Sequence, residues 1–259
     1  MKIRAGFAAA ALAALIAIGA ASPASAQAQR GNSECILDKC QDRDAPQRRP
    51  ERNDRPSRDT APEARPSGSS VAPGRFDFYV LSLSWSPTFC LGNGDRGSQQ
   101  CDRGAELGFV LHGLWPQYER GFPSDCDSRN PSSIAMQAAR GVWPDEGLAR
   151  YEWRKHGTCS GKAPADYFAD ARRAKEAVEI PDSLKAPKRQ ASMSPNDIQR
   201  AFIAENPRLR PGMMAVACQR GMLQEVRICF SKDLREFRAC PEVVRSSCRS
   251  QQISVPPVR

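Results

Sequence analysis

Only two histidines occur in the 259 residues, and both stand in segments of unusual composition, FVLHGLWPQ around His112 and YEWRKHGTC around His156. Imidazoles titrate near neutrality, so a pair of them can accept one proton and deliver another in the same reaction. In the second segment Glu152, Lys155 and His156 stand at i, i+3 and i+4, which on a helix projects all three from one face. A carboxylate, an ammonium and an imidazole then share one site. Such a set suits internal cleavage of a phosphodiester by a ribose 2′-hydroxyl. One group takes the hydroxyl proton, a second protonates the departing 5′-oxygen, and a cation offsets charge building on the non-bridging oxygens. Those steps call for no metal and no other cofactor.

Blander readings compete. A charged helix face is commonly solvated surface, and a Glu three residues before a Lys is an ordinary intrahelical pair. Neither explains an imidazole beside that pair with Cys159 three residues on. His156, Cys159 and Cys126 also have the make-up of a zinc site, although cysteines of exported proteins are usually oxidised. A binding protein that kept the scaffold and lost turnover is a third reading. Against it, Glu152, Lys155 and both histidines remain together.

The elements that must hold these residues can be read in outline. FDFYVLSLSW alternates and is rich in strand formers, which predicts a strand. GFVLHGLWP reads as a second short strand running into a loop, stopped by Gly113 and Pro116. After Asp145, EGLARYEWRKH predicts a helix ended by Gly157 as C-cap. Trp153 lies on the opposite side of that helix from Glu152 and His156 and is expected in the core. Ser194-Pro195-Asn196-Asp197 reads as a capping box with proline at the first helical position, opening a helix to about Glu205. MMAVAC and LQEVRICF, joined by a turn from Gln219 to Gly221, predict an antiparallel hairpin. Strands and helices intersperse without a repeated βαβ pattern, so the expected class is α+β.

The rest of the chain sets the context. Lys2 and Arg4 precede an apolar run from Ala5 to Ala20, and Ala24-Ser25-Ala26 offers small residues for cleavage, so residues 1–26 read as an export signal. The run is shorter than the ~20 residues of a spanning helix, and no stable membrane insertion is expected once it is removed. Residues 27–75, crowded with Arg, Asp, Glu, Pro and Ser, hold too little apolar surface to fold and read as a linker. Residues 76–259 form one domain of ordinary size. Ten cysteines behind an export signal argue for disulfides. Spacing suggests Cys35 with Cys40 and Cys90 with Cys101 and leaves the remaining pairs open. The formal charge of +9 favours a polyanionic partner without specifying one.

HGLWPQ (112–117) and EWRKHGTC (152–159) resemble the two active-site segments of the ribonuclease T2 family. FDFYVLSLSWSPTFC (76–90) resembles the family's opening strand and MMAVACQRGMLQEVRICF its late hairpin, so the similarity runs in order from about Phe76 to Pro241. It implies an exported, bacterial, disulfide-stapled α+β protein with a central antiparallel sheet flanked by helices. The activity implied is metal-independent endonucleolytic cleavage of single-stranded RNA through 2′,3′-cyclic phosphates, with low base specificity and no action on DNA, by a periplasmic or secreted monomer. His156 would take the 2′ proton and His112 would protonate the leaving oxygen, with Glu152 and Lys155 assisting at the phosphate. Trp115 would pack against a base, and Gln117 lies where other members carry an acid that reads one. Tyr151 departs from the pattern, because the family commonly has a histidine there that binds phosphate. The resemblance pairs Cys126 with Cys159 and Cys218 with Cys229, which leaves Cys240 for Cys248.

Overall fold

A computed structural model describes residues 72–93 and 98–259, all within one compact unit, Ala64–Arg259. The expected export signal, nearly all of the expected linker and the Cys35–Cys40 pair lie outside the described residues. Gly74, at the end of that linker, donates its N–H to the Cys159 carbonyl (2.9 Å).

In chain order the elements are β1 (Phe78–Trp85), α1 (Ser86–Asn93), β2 (Phe109–Gln117), α2 (Ser133–Gln137), α3 (Glu146–Lys155), α4 (Pro164–Glu176), α5 (Asp182–Lys185), β3 (Ala191–Met193), α6 (Pro195–Glu205), β4 (Met214–Gln219), β5 (Met222–Ser231), α7 (Pro241–Arg245) and β6 (Ile253–Val255). The six strands form one sheet in the order β2-β1-β5-β6-β3, with β4 also on β5. All pairings are antiparallel except the single β5–β6 contact. The fold is α+β, with helices on both faces of the sheet.

β1 is central and has two buried faces. Tyr79, Leu81, Leu83 and Trp85 enter the large core with Trp143, Trp153, Tyr167 and Phe168. Phe78 and Val80 enter a smaller cluster with Ala215, Cys229, Cys240 and Val243 of α7. Alternation along the strand thus feeds two layers.

β2 corrects the expectation that Gly113 and Pro116 stop a strand, since it continues through both. Proline is tolerated because β2 is the edge strand at its end of the sheet order. The ladder with β1 steps from Ser82↔Gly113 to Leu83↔Leu111, so His112 is the extra residue of a β-bulge. The bulge shifts the phase of the strand: Leu111 and Leu114, three apart, both face the large core, while His112 and Trp115 both turn to the other face.

α3 begins where expected, with the Asp145 carboxylate accepting from the Leu148 N–H (2.8 Å). Its end differs. Gly157 is not a left-handed cap; the chain continues as a 3₁₀ turn over Gly157–Ser160 and the left-handed residue is Gly161 (φ 74°). Glycine is needed at 157 for a different reason, because a Cβ there would lie 2.6 Å from the Trp153 ring and 2.9 Å from the Tyr167 ring. The Ser194 capping box and the end of α6 at Glu205 stand as expected. In the β4–β5 hairpin Arg220 and Gly221 both have positive φ, as a two-residue turn matching strand twist requires.

The disulfides confirm Cys90–Cys101 and Cys126–Cys159. They correct the other two pairs to Cys218–Cys248 and Cys229–Cys240. In the hairpin Cys218 pairs with Leu223, whereas Cys229 lies beyond the Met214↔Ile228 rung at the far end. A strand advances ~3.3 Å per residue, so the two sit far beyond the ~7 Å that a disulfide can span between Cα atoms. Among the described residues no cysteine is free and no helix is long and apolar enough to cross a membrane.

Candidate active site

The site forms where the bulged part of β2 meets the C-terminal end of α3. α3 is anchored by Ala149 and Trp153, the latter 2% exposed and donating its indole N–H to the Arg129 carbonyl (2.7 Å). Trp153 is therefore core, as expected, but it does not lie opposite Glu152 and His156: one residue after the first and three before the second, it shares their buried side of α3. With that face fixed, Glu152 and His156 point inward at 1% and 6% exposure. The other half is held from behind: Trp143 donates its indole N–H to the His112 carbonyl (2.8 Å), and Tyr167 donates its hydroxyl to the Leu114 carbonyl (2.9 Å).

Trp115 links the halves. Its indole N–H donates to Glu152 Oε2 (2.7 Å), and its ring centroid lies 5.2 Å from His112 and 5.3 Å from His156. His112 Nε2 is 3.6 Å from Glu152 Oε1. Gly113 makes this approach possible, since a Cβ there would collide with both the Glu152 carboxylate and the indole nitrogen. Four of the residues singled out in the sequence, His112, Trp115, Glu152 and His156, thus converge.

Lys155 is half-buried next to them, with Nζ 3.2 Å from Asp125 Oδ2. The backbone N–H of Asp125 also donates to the Lys155 carbonyl (2.9 Å), and Asp125 adopts a φ of 52°. The Cys126–Cys159 bridge follows directly and joins this loop to the turn after α3. Because those two cysteines are bonded to each other, neither is a thiolate available to zinc. Among the described residues no group of three or more His, Cys, Asp or Glu side chains is arranged to hold a metal ion. Tyr151 is half-buried on α3, and Gln117 ends β2 two residues beyond Trp115 on the same face.

Several residues at the site went unread in the sequence. Ser82, Glu225 and Arg227 lie on β1 and β5 and face the same side as His112. His112 Nδ1 lies 3.1 Å from Glu225 Oε2, which also accepts from Ser82 Oγ (2.9 Å). Arg227 donates to Glu225 Oε1 from Nε (2.7 Å) and lies 2.6 Å away through Nη2, with its Cζ 5.4 Å from the Trp115 centroid. The available signal was a Glu and an Arg at alternate positions of a largely apolar strand, LQEVRICF. Phe122, 51% exposed, has its ring 6.1 Å from that of His156.

The two imidazoles are driven in opposite directions. His156 is pushed down to about 3, chiefly by burial, with His112 and Lys155 adding repulsion. Burial also pulls His112 down, but the hydrogen bond to Glu225 and the charges of Glu152 and Glu225 outweigh it and the opposing Arg227, so its value is raised. Glu225 is buried, which favours its neutral form. The hydrogen bond from His112, the Arg227 and His112 charges and the Ser82 hydroxyl overcome this and hold it at about 2. At neutral pH His156 is therefore neutral and Glu225 is a carboxylate, while the surroundings of His112 favour its charged form more than water would.

Comparison with known proteins bears on this arrangement. Residues 76–240 match the model of the Ribonuclease T2 family. A ribonuclease of Aeromonas hydrophila is 38% identical over 172 residues, covering 65% of this chain and 78% of that protein. Ribonuclease DdI of Dictyostelium discoideum is 30% identical, covering 69% of this chain and 84% of its own length. Among solved structures, an RNase-related protein from Calystegia sepium superposes with a TM-score of 0.57 at 26% identity, covering 71% of this chain and 98% of that one. A point mutant of the bitter gourd RNase MC1, solved with 5′-UMP, shares the fold with a TM-score of 0.55 at 20% identity, covering 69% and 97%.

Proposed function

Because this chain belongs to the ribonuclease T2 family and is a metal-independent endoribonuclease of that family, we propose that it cleaves single-stranded RNA by 2′-hydroxyl transphosphorylation, using His156 as base and His112 as acid. The 2′-oxygen forms a bond to phosphorus as the bond from phosphorus to the 5′-oxygen breaks. His156 takes the 2′ proton and His112 delivers one to the 5′-oxygen, leaving a 2′,3′-cyclic phosphate and a free 5′-hydroxyl. The observation that carries this reading is the convergence of the two imidazoles on either side of Trp115, with the Glu152 carboxylate between the two histidine-bearing segments, and their opposite electrostatic bias supports it. Two titratable groups pushed apart in this way supply an acid and a base at the same pH.

Lys155 and Glu152 assist at the phosphate. Lys155 offsets the extra negative charge of the transition state. Glu152 holds the Trp115 indole and adds its field to His112. Trp115 offers a face for a base, and stacking on an indole tolerates any base, which supports low specificity. Gln117 and Tyr151 border the substrate path. Export to the periplasm or the medium, after loss of residues 1–26 and with 27–75 as a linker, is supported by four disulfides among the described residues. The protein acts as a monomer without inserting into membranes.

The direct test is hydrolysis of a mixed-sequence RNA and of the matched DNA, with and without EDTA, followed by analysis of the ends. RNA fragments ending in 2′,3′-cyclic phosphate, intact DNA and indifference to EDTA are expected. Tight RNA binding without cleavage, or chelator-sensitive activity restored by zinc, would overturn the proposal.

Tyr151 sharpens the reading. A phenol can hydrogen-bond a phosphate but does not become cationic, so this chain is expected to bind RNA more weakly than a relative with histidine there. Tyr151→His should lower KM roughly fivefold, the worth of one added hydrogen bond of ~1 kcal/mol, with a smaller change in kcat. Steady-state kinetics on a defined oligonucleotide reads both, and a change confined to kcat would contradict the role given to Tyr151.

A further inference from the structure

We infer that Glu225 is a positioning residue for the general acid: its buried carboxylate accepts the Nδ1–H of His112 and holds the ring so that Nε2 carries the proton delivered to the leaving oxygen. The inference rests on the reading of His112 as that acid. It concerns a residue on a strand outside both histidine-bearing segments.

The geometry has the parts of an orienting device. Glu225 is 2% exposed and its two oxygens are divided between neighbours: Oε2 serves His112 and Ser82, and Oε1 serves Arg227. Each partner comes from the sheet itself, Ser82 opposite Arg227 on the β1–β5 ladder and His112 from the bulge of β2 beyond. A carboxylate held by three donors cannot rotate without breaking them. Burying such a charge is costly until its partners compensate. An apolar side chain on this strand would avoid that cost, but it would leave the His112 ring without a fixed tautomer.

The groups around His112 explain how one ring nitrogen is reserved. Glu225 and Arg227 face it from β5, Ser82 from β1 through Glu225, Glu152 from α3 and His156 from the turn after it, with Trp115 alongside on β2. Glu225 meets Nδ1, and Glu152 lies near Nε2. In the cleavage step the Nε2 proton passes to the 5′-oxygen while the Nδ1 proton stays in the bond to Glu225. The acid is left neutral with its lone pair at Nε2, ready to be recharged from water, and Glu225 remains ionised throughout.

The signs follow from the charges. Removing the Glu225 charge removes one of the two carboxylates that hold the His112 value up, Glu152 being the other, so the alkaline limb of the pH–rate profile, where the acid loses its proton, moves to lower pH. Removing the opposing charge of Arg227 moves that limb to higher pH. Glu225→Gln should shift the limb down by about one unit and lower kcat on RNA about 10- to 100-fold, the size seen when a metal-bound histidine loses the partner that orients it. KM should change much less. With uridine 3′-(4-nitrophenyl phosphate), whose phenolate departs without needing a proton, the same variant should lose far less activity.

The experiment measures both substrates against pH for the wild type, Glu225→Gln and Arg227→Met. Because the ratio of the two activities does not depend on the fraction folded, it stands even if part of the variant is misfolded. Equal losses on RNA and aryl ester, or an unmoved limb, would overturn the inference. If Glu225→Gln shows no native near-ultraviolet circular dichroism, Arg227→Met decides: an upward shift supports the role of Glu225, and an unmoved or lowered limb refutes it. A wild type that makes no cyclic phosphate would instead defeat the functional reading itself.

Discussion

His156→Ala should lower kcat on RNA by roughly 10²- to 10⁴-fold while leaving RNA binding nearly intact, the range that loss of a positioned acid or base produces. The effect is large because the substitution removes the group that takes the proton. His156 lies 6% exposed against Trp115 and Phe122, and its Nδ1 has no hydrogen-bond partner among the described residues. A buried imidazole held neutral is costly to charge unless something drives the proton onto it, and in the proposed reaction that proton comes from the substrate. His112→Ala should cost a comparable factor, and the double variant little more than either single one, since a base without its acid is of little use. Single-turnover cleavage beside equilibrium binding separates the effects, and a His156→Ala protein with more than about a tenth of wild-type kcat would contradict the assignment.

The same variant has a signature in stability. Folded His156 titrates near 3 against an ordinary 6.5, so the unfolded chain takes up its proton first as the pH falls. Wild-type stability therefore decreases through that window, and above it the group contributes no pH dependence. His156→Ala should remove this part of the acid sensitivity. Melting temperatures between pH 7 and pH 4 would then fall less steeply than in the wild type, and parallel curves would argue against a buried neutral imidazole.

Replacing Cys126 and Cys159 by alanine should be the most damaging change to stability at the site. The bridge closes a loop with a sequence separation of 33, for which the chain-entropy relation gives about 4 kcal/mol at 25 °C, within the ~2 to 5 kcal/mol usual for native bridges. For a domain of this size each kcal/mol lowers Tm by about 2 to 4 °C. A fall on the order of 10 °C is expected by calorimetry. Activity should fall as well below the new Tm, because the bridge ties the loop carrying Phe122 and Asp125 to the turn that contains Cys159. Full activity in a destabilised variant would show that the loop keeps its place through the Asp125–Lys155 contacts and the hydrogen bond from the Cys126 N–H to Thr158.

What was legible beforehand was local. Asp145 before a run of helix formers, the Ser194 capping box and the Arg220-Gly221 turn act over a few residues, so local chemistry decides them. Glu152 and His156 share a face because a helix repeats every 3.6 residues, and the family resemblance brought the two histidine segments to one site. Gly157 misled as a helix terminator because its role is room for the Trp153 and Tyr167 rings, which only packing reveals.

By itself, then, the sequence determined the class of fold and the Cys90–Cys101 bridge, because each depends on residue type and short spacing, while the Cys126–Cys159 bridge came with the family resemblance. Tertiary structure alone decided the bulge that turns His112 and Trp115 to one face, the pairing of Cys218 with Cys248 and of Cys229 with Cys240, and the meeting of His112 with Glu225. Those depend on strand register between segments as many as 113 residues apart. A shift of one residue in that register would send every side chain concerned to the opposite face of the sheet.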